Sequence, residues 1–245
     1  MDASELYDPE FRKLIKSKKS TIIIPVGSLE QHGAHLPITT DSDIVTEIAS
    51  RLAKKCGFIV FPTISYGYSL EHDPLTNINI FRESLLKNYI FDIIWSIWMM
   101  RGTKSLPKGL SIIILNGHHG NVVELNKLVK MRNTNVFTDK FKDALSLYSY
   151  WHFMEHEFDH AGFVETSIML AISDKVKMKK AKKGFTTKGL SEKEIQKINK
   201  LSTEQGGFPK VAKNGVWGDP TSATKKDGEK FLAEIVRNLA KKCQS

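Results

Sequence analysis

The sequence predicts an α/β fold in which a parallel or mostly parallel sheet is covered by helices on both faces. Three observations predict it. Short β-branched runs recur along the 245 residues, "TIIIPV", "FIVF" and "LSIIIL" among them. These runs are apolar throughout and end in Pro or Gly, as strands buried on both faces do. Most are followed by a stretch whose apolar residues recur at helical spacing, and strand–helix alternation gives parallel pairing through crossover helices.

The first strand is expected over 21–27, closed by Pro25 and Gly27. A helix is expected over 41–55. Ile44, Ile48 and Leu52 fall at i, i+4 and i+8 beside Val45 and Ala49, and Asp41 and Asp43 stand in the first turn, where the helix dipole favours acids. A second strand is expected over 57–64, a long helix over 83–102 with Gly102 as its stop, a third strand over 110–117 and a helix over 121–131. "NVFTD" (135–139) and "LSLYSYWHFM" (145–154) read as further strands, and 161–173 as a largely buried helix. Beyond residue 174 the chain turns Lys-rich. There, 191–201 opens with the Ser-x-x-Glu spacing of a capping box, and 227–242 is an amphipathic closing helix. No internal repeat or low-complexity linker divides the chain, so a single domain over 1–245 is expected.

Composition removes several classes of function. The most apolar stretch, "YIFDIIWSIWMM" (89–100), is interrupted by Asp92 and falls short of the roughly 18 residues of a membrane span. The N-terminus is charged throughout and lacks the apolar core of a signal peptide, so a cytoplasmic location is expected. With only Cys56 and Cys243, neither a disulfide framework nor a thiolate metal site is expected, and any metal is left to imidazole and carboxylate. The net charge of +9 suits an acidic partner or a phosphorylated substrate, but reads first as a solvated Lys-rich surface. The densest run, "KVKMKKAKKG" (175–184), has no interleaved aromatics and reads as an exposed loop or edge.

The chemistry collects where strands give way to loops. The histidines are His32, His35, His72, His118, His119, His152, His156 and His160. Glu30 and His32 follow the first strand, while His118 and His119 follow the third. Ligands bind at the carboxyl ends of strands in open α/β sheets, so residues far apart in sequence converge on one crevice. Neutral imidazole and carboxylate suit zinc, manganese or iron, and two ions sharing a bridging carboxylate orient a water and lower its pKa. Glu30-x-His32 is a compact pair able to serve two ions, with Asp41 at a helix start placed to bridge them. "NGHHGN" (116–121) sets His118 in a Gly-flanked turn, and "DHAGFVETS" (159–167) places His160 and Glu165 across a helix start. A lone Glu-x-His is ordinarily a surface pair, whereas several such clusters at strand ends are not. His152 and His156 lack the His-Glu-x-x-His pattern and read as surface or pocket wall.

Taken in order, "PVGSLEQHGAHLPITTDSDI", "YGYSLEH", "LNGHHGN" and "HAGFVETS" resemble the creatininase family of metal-dependent amidohydrolases. "GVWGDPTSATKKDGEKFL" (215–232) resembles its closing segment, and the likeness runs over about residues 20–235. The resemblance implies a three-layer α/β/α fold, a homo-oligomer (a hexamer built from dimers) and one or two divalent ions, Zn, Fe or Mn. It puts Glu30 and His118 on one ion, His32 on the other and Asp41 between them, with His160 as the catalytic proton shuttle. Creatininase itself has a glutamate ligand two residues after the histidine of Asn-Gly-His, and Gly120 stands there in this chain. The glycine form is shared with archaeal formamide hydrolases that deformylate a pyrimidine nucleotide in riboflavin and deazaflavin synthesis. Glu165 is the candidate replacement, as ligand and as catalytic group. His35 and Asp43 fall to supporting positions. A second departure is that Leu75, Thr76, Asn77 and Ile78 stand where the family continues into Phe-Pro-Gly-Thr.

The expected activity is metal-dependent hydrolysis of a non-peptide C–N bond in a small-molecule substrate. A metal-activated water attacks an amide or formamide carbonyl, metal charge stabilises the oxyanion, and His160 carries the proton from water to the leaving nitrogen. A formylamino-pyrimidine ribonucleotide is the first expected substrate and creatinine, opened to creatine, the alternative. Clipping of a modified peptide in redox-cofactor maturation is a third. A basic nucleic-acid-binding protein on the same fold is the rival from another class and predicts salt-dependent affinity without metal. The intact set Glu30, His32, Asp41, His118 and His160 argues against it, and neither nucleic acid nor membrane is an expected partner.

Overall fold

Four strands, β1 (Ser20–Val26), β2 (Ile59–Val60), β3 (Leu110–Asn116) and β4 (Leu145–Ser149), lie parallel in the order β2-β1-β3-β4. They belong to a computed structural model that describes residues 1–17, 19–82, 84–100, 109–131 and 144–244. β1 and β3 pair along their whole lengths, with Ile22 opposite Ile112 and Ile24 opposite Ile114. Because side chains alternate across a strand, one stretch of isoleucines feeds two cores. Ile23, Ile113 and Leu115 face α2 (Thr40–Cys56), α5 (Phe163–Ile172) and α7 (Lys225–Gln244), where Ile44, Ile48, Ile168, Ile235 and Leu239 are buried. Ile22, Ile24, Ile112 and Ile114 face the other way, toward α1 (Asp8–Ile15), α3 (Leu85–Met100) and α4 (Val122–Met131). Each such side chain taken from water contributes roughly 1.5–3 kcal/mol. The result is the three-layer α/β/α arrangement expected.

The capping box before α6 (Glu192–Ser202) forms as its spacing requires. Ser191 Oγ accepts from the Glu194 N–H at 3.4 Å, and Glu194 Oε2 accepts from the Ser191 N–H at 2.8 Å. The strand expected over 57–64 is shorter, with only Ile59–Val60 in the ladder. Pro62 has no N–H to offer, though the Ile64 N–H still reaches the Pro25 carbonyl at 2.9 Å. The strand expected over 145–154 stops at Ser149. A 3-10 turn over Tyr150–Phe153 then carries Tyr150 into the core. "NVFTD" and Gly102 lie outside the described residues.

α3 buries Ile90, Ile94 and Ile97 yet also exposes Tyr89, Trp95 and Met99, so its outer face is far more apolar than that of a solvated helix. Among the described residues no helix is long and apolar enough to cross a membrane. From β1 the chain crosses to β2 on one side and then returns past β1 to β3 on the other. The carboxyl ends of β1 and β3, paired at Val26 and Asn116, therefore form a topological switch point.

Candidate active site

Three segments meet at that switch point, and amide side chains join them. Asn121 donates to the Gly27 carbonyl at 3.0 Å and accepts from the Tyr68 N–H at 2.9 Å, linking the ends of β1 and β3 to the loop before residue 72. The loop carrying Leu75, Thr76, Asn77 and Ile78 is pinned to the Glu30 segment. Gln31 N–H donates to the Thr76 carbonyl at 2.7 Å, and Ile78 N–H to the Leu29 carbonyl at 2.8 Å. The residues that depart from the family's Phe-Pro-Gly-Thr turn thus still brace the first strand's end.

The side chains brought together are Glu30, His32, Asp41, His118, His160 and Glu165, with His72 and Glu71 beside them. Glu30, Asp41 and His118 place one donor atom each within 4.8 Å of one another, and so do His32, Asp41 and Glu165. These two triads share Asp41, on the first turn of α2, and a third group, Glu30, His32 and His160, meets the same spacing. Asp41 Oδ1 lies 3.1 Å from His32 Nε2, and Oδ2 lies 2.9 Å from His118 Nδ1. Glu165, from the first turn of α5, brings Oε2 to 3.5 Å from His32 Nε2.

The donor set fits a pair of divalent ions. Glu30 Oε1 and Asp41 Oδ2 are fully buried atoms without a hydrogen-bond partner. The nearest nitrogens, His72 Nε2 at 3.0 Å and His118 Nδ1 at 2.9 Å, approach them without the alignment of a hydrogen bond. Carboxylate oxygens buried and left unsatisfied in this way are costly unless a cation completes them. The rings are also held in ligand tautomers. His32 Nδ1–H donates to the Glu30 carbonyl at 3.1 Å, freeing Nε2 for Asp41 and Glu165. His118 Nε2–H donates to the Tyr68 carbonyl at 3.1 Å, freeing Nδ1 for Asp41. Such outer hydrogen bonds fix metal-binding histidines.

The cluster opens into a cavity of about 380 Å³, lined among others by Glu71, His119, Glu157, Asp159, Phe208 and Trp217. The creatininase family pattern, described as creatinine amidohydrolase, matches residues 4–243 of the chain. The chain belongs to the creatininase family. It is 30% identical to the mycofactocin precursor peptide peptidase of Mycolicibacterium smegmatis, covering 89% of this chain and 82% of that one. It is also 30% identical to the 2-amino-5-formylamino-6-ribosylaminopyrimidin-4(3H)-one 5'-monophosphate deformylase of Methanosphaera stadtmanae, over 68% of this chain and 66% of that one. A solved mutant creatininase of zinc–zinc type superposes with a TM-score of 0.77 at 21% identity, covering 99% of this chain and 96% of its own.

Electrostatics in this creatininase-family site favour exchange of protons for cations. Burial opposes charge on His32, but Asp41, Glu165 and Glu30 outweigh it and raise the His32 pKa to about 10. His118 is likewise raised well above an ordinary imidazole, with Glu30, Asp41 and Glu71 overcoming burial. Burial, reinforced by Asp41 and Asp159, lifts Glu165 to about 8. At neutral pH the cation-free site therefore carries protons on the atoms that would bind an ion, and those protons must leave when it binds. Metal affinity is expected to strengthen about tenfold per pH unit for each proton displaced as pH rises from 6 to 8. Calorimetric titration in buffers of different ionisation enthalpy measures this. A pH-independent affinity without proton release contradicts it.

His160 Nε2 lies 3.0 Å from the Gln31 carbonyl and 3.1 Å from the Gln31 side-chain amide; in the tautomer that donates to the carbonyl, Nδ1 is the basic atom, 3.8 Å from Glu30 Oε1. Its ring lies 4.2 Å from that of His32. Burial, then the facing His32 and His72 rings, hold its pKa well below an ordinary imidazole, so it is neutral and able to accept a proton. His35 instead binds Thr166 Oγ1 at 2.9 Å, beside the cluster but outside its donor triads, and Asp43 accepts from Thr39 Oγ1 at 2.8 Å. His152 and His156 are exposed and outside the cavity lining.

Glu71 and His72 were not singled out as site residues from the sequence, although "SLEH" carries the same Glu–His density as the first cluster. His72 Nδ1 accepts from the Gln31 side-chain amide at 3.0 Å, which turns Nε2 toward Glu30. Gly120 has a steric cause. A Cβ there would overlap the Tyr68 carbonyl and come within 2.5 Å of both Glu71 Oε1 and His118 Nε2. The space that a side chain at position 120 would need is already taken by Glu71.

Proposed function

We propose that the protein is a metal-dependent amidohydrolase in which Glu30 and His118 hold one divalent ion, His32 and Glu165 the other, and Asp41 both. The observation that carries this reading is the pair of donor triads meeting at Asp41. When bound, the ions polarise the amide carbonyl and acidify a water. His160 Nδ1 takes the proton from the attacking water and returns it to the leaving nitrogen, in the tautomer whose Nε2–H donates to the Gln31 carbonyl. Tyr150 donates to Glu165 Oε1 at 3.4 Å, and the Ala161 N–H donates to Oε2 at 2.7 Å, keeping that carboxylate oriented. Phe158, Phe208 and Trp217 wall the cavity and restrict water around the reacting groups.

For the substrate, the reading is a formamide on an aminopyrimidine, as the glycine at position 120 first suggested. No Lys or Arg side chain is among the described residues lining the cavity, so among them the phosphate of such a nucleotide meets no cationic side chain. The phosphate then lies at or beyond the mouth. A second reading, cleavage at an amide of a modified peptide, is favoured by the likeness to the mycofactocin precursor peptide peptidase over most of both chains.

Metal-loaded protein should release formate from the formylamino-pyrimidine nucleotide and from its dephosphorylated nucleoside with kcat/KM values within about tenfold. Surface charges beyond the mouth are screened over roughly 10 Å and add little. Creatinine opening or peptide cleavage without formate release overturns the pyrimidine reading. Hydrolysis of none of these overturns the amidohydrolase.

A further inference from the structure

Three carboxylates lining the cavity are not used by the proposed reaction: Glu157 is exposed, Asp159 accepts from the Val164 and Glu165 N–H groups, and Glu71 stands against His118. The Glu71 side chain is 11% exposed, and it reaches the site from the loop before His72, filling the space above Gly120. Its Oε1 lies 3.4 Å from His118 Nε2, but that nitrogen already donates to the Tyr68 carbonyl. Among the described residues, no donor is found on it apart from the His118 ring and its own backbone N–H, and no Lys or Arg lines the cavity to pair with it. Beside it the walls are flat. Phe208 packs 4.5 Å from the His72 ring and 4.8 Å from the His160 ring, and Trp217 stacks 6.5 Å from Phe208 at 29°. A carboxylate offers two in-plane acceptors, and its natural complement is a planar edge with two parallel N–H donors, as in a guanidine, an amidine or a 2-aminopyrimidinone.

We propose that Glu71 is the specificity-determining carboxylate of the cavity, receiving the paired N–H donors of a planar guanidine-type edge on the substrate. The inference rests on the amide-hydrolase reading above and narrows its substrate class to amides carrying such an edge. An anionic group has no partner at this position. A substrate that lacks the edge leaves a largely buried carboxylate facing bare apolar surface, which is how a site built for hydrogen bonding rejects analogues.

The test is calorimetric binding of isocytosine, which carries the edge, and of 4-pyrimidinone, which lacks the exocyclic amine, to the metal-loaded full chain. Wild type should prefer isocytosine by roughly tenfold or more, the scale of one charge-assisted hydrogen bond. Glu71→Gln should lose that preference while binding 4-pyrimidinone unchanged and holding the same number of ions as wild type. Glu71→Ala should behave alike. Equal affinity of wild type for the two probes, failure of isocytosine to bind, or a preference that survives in Glu71→Gln overturns the assignment. Loss of metal in the Glu71→Gln protein also overturns it, because Glu71 then acts on the ions. Hydrolysis by the wild-type protein is measured separately, so an edge-blind pocket and an inactive site give different results.

Discussion

Replacing Asp41 with asparagine should lower kcat/KM by about 10³-fold or more, which is about 4 kcal/mol of barrier. It should also lower the number of bound divalent ions. The reason is positional. Asp41 is the residue common to both donor triads, its oxygens 3.1 and 2.9 Å from the ring nitrogens of His32 and His118. It stands in the first turn of α2, buried among Glu30, His32 and His118, where asparagine keeps the shape and loses the charge. In the cation-free site, burial works against ionisation of Asp41, but the two imidazolium neighbours overcome it and hold the carboxyl well below its ordinary pKa. With ions bound, the same negative charge serves them instead. A kinetic assay combined with metal analysis on one preparation checks both effects, with a thermal melt to show that the variant is folded. Near-wild-type hydrolysis would remove Asp41 from the centre of the site.

His160→Gln is expected to have the next largest effect, a fall in kcat of about 10²–10⁴-fold with the ion content unchanged. His160 also lies within ligand distance of Glu30 and His32, so its role is decided by which quantity moves. As proton carrier it leaves both ions in place, and its loss appears in kcat. As a ligand it takes an ion with it. Nδ1 lies 3.8 Å from Glu30 Oε1, a separation compatible with either role, so the ion content of the variant decides between them. Loss of metal in His160→Gln contradicts the proton-carrier role.

The fold was legible because its signals are local. Runs such as Ile22–Ile24 and Ile112–Leu115, each followed by helical periodicity, specify strands buried on both faces and helices on either side. The failures were local as well. Pro62 shortened the strand after α2, and Tyr150 turned into the core where a strand was expected to continue. The convergence of Glu30, His32, Asp41 and His118 in the candidate site was legible because they follow strands or begin a helix, positions that topology brings together. Glu71 and His72 escaped because they sit in a loop whose course is set by distant contacts, through Asn121 to Tyr68 and through Asn79 to Ser69. Gly120 was read as a missing ligand. The structure gives the physical counterpart, a space already filled by Glu71, which no local pattern around position 120 announces.

The most direct measurement is the number of divalent ions bound per chain, by elemental mass spectrometry on protein purified and reloaded under chelator control, for wild type and Asp41→Asn side by side. Two ions in wild type and fewer in the variant are the predicted result. No more than one ion in wild type, or two retained without the Asp41 carboxylate, would contradict a site organised around a shared aspartate.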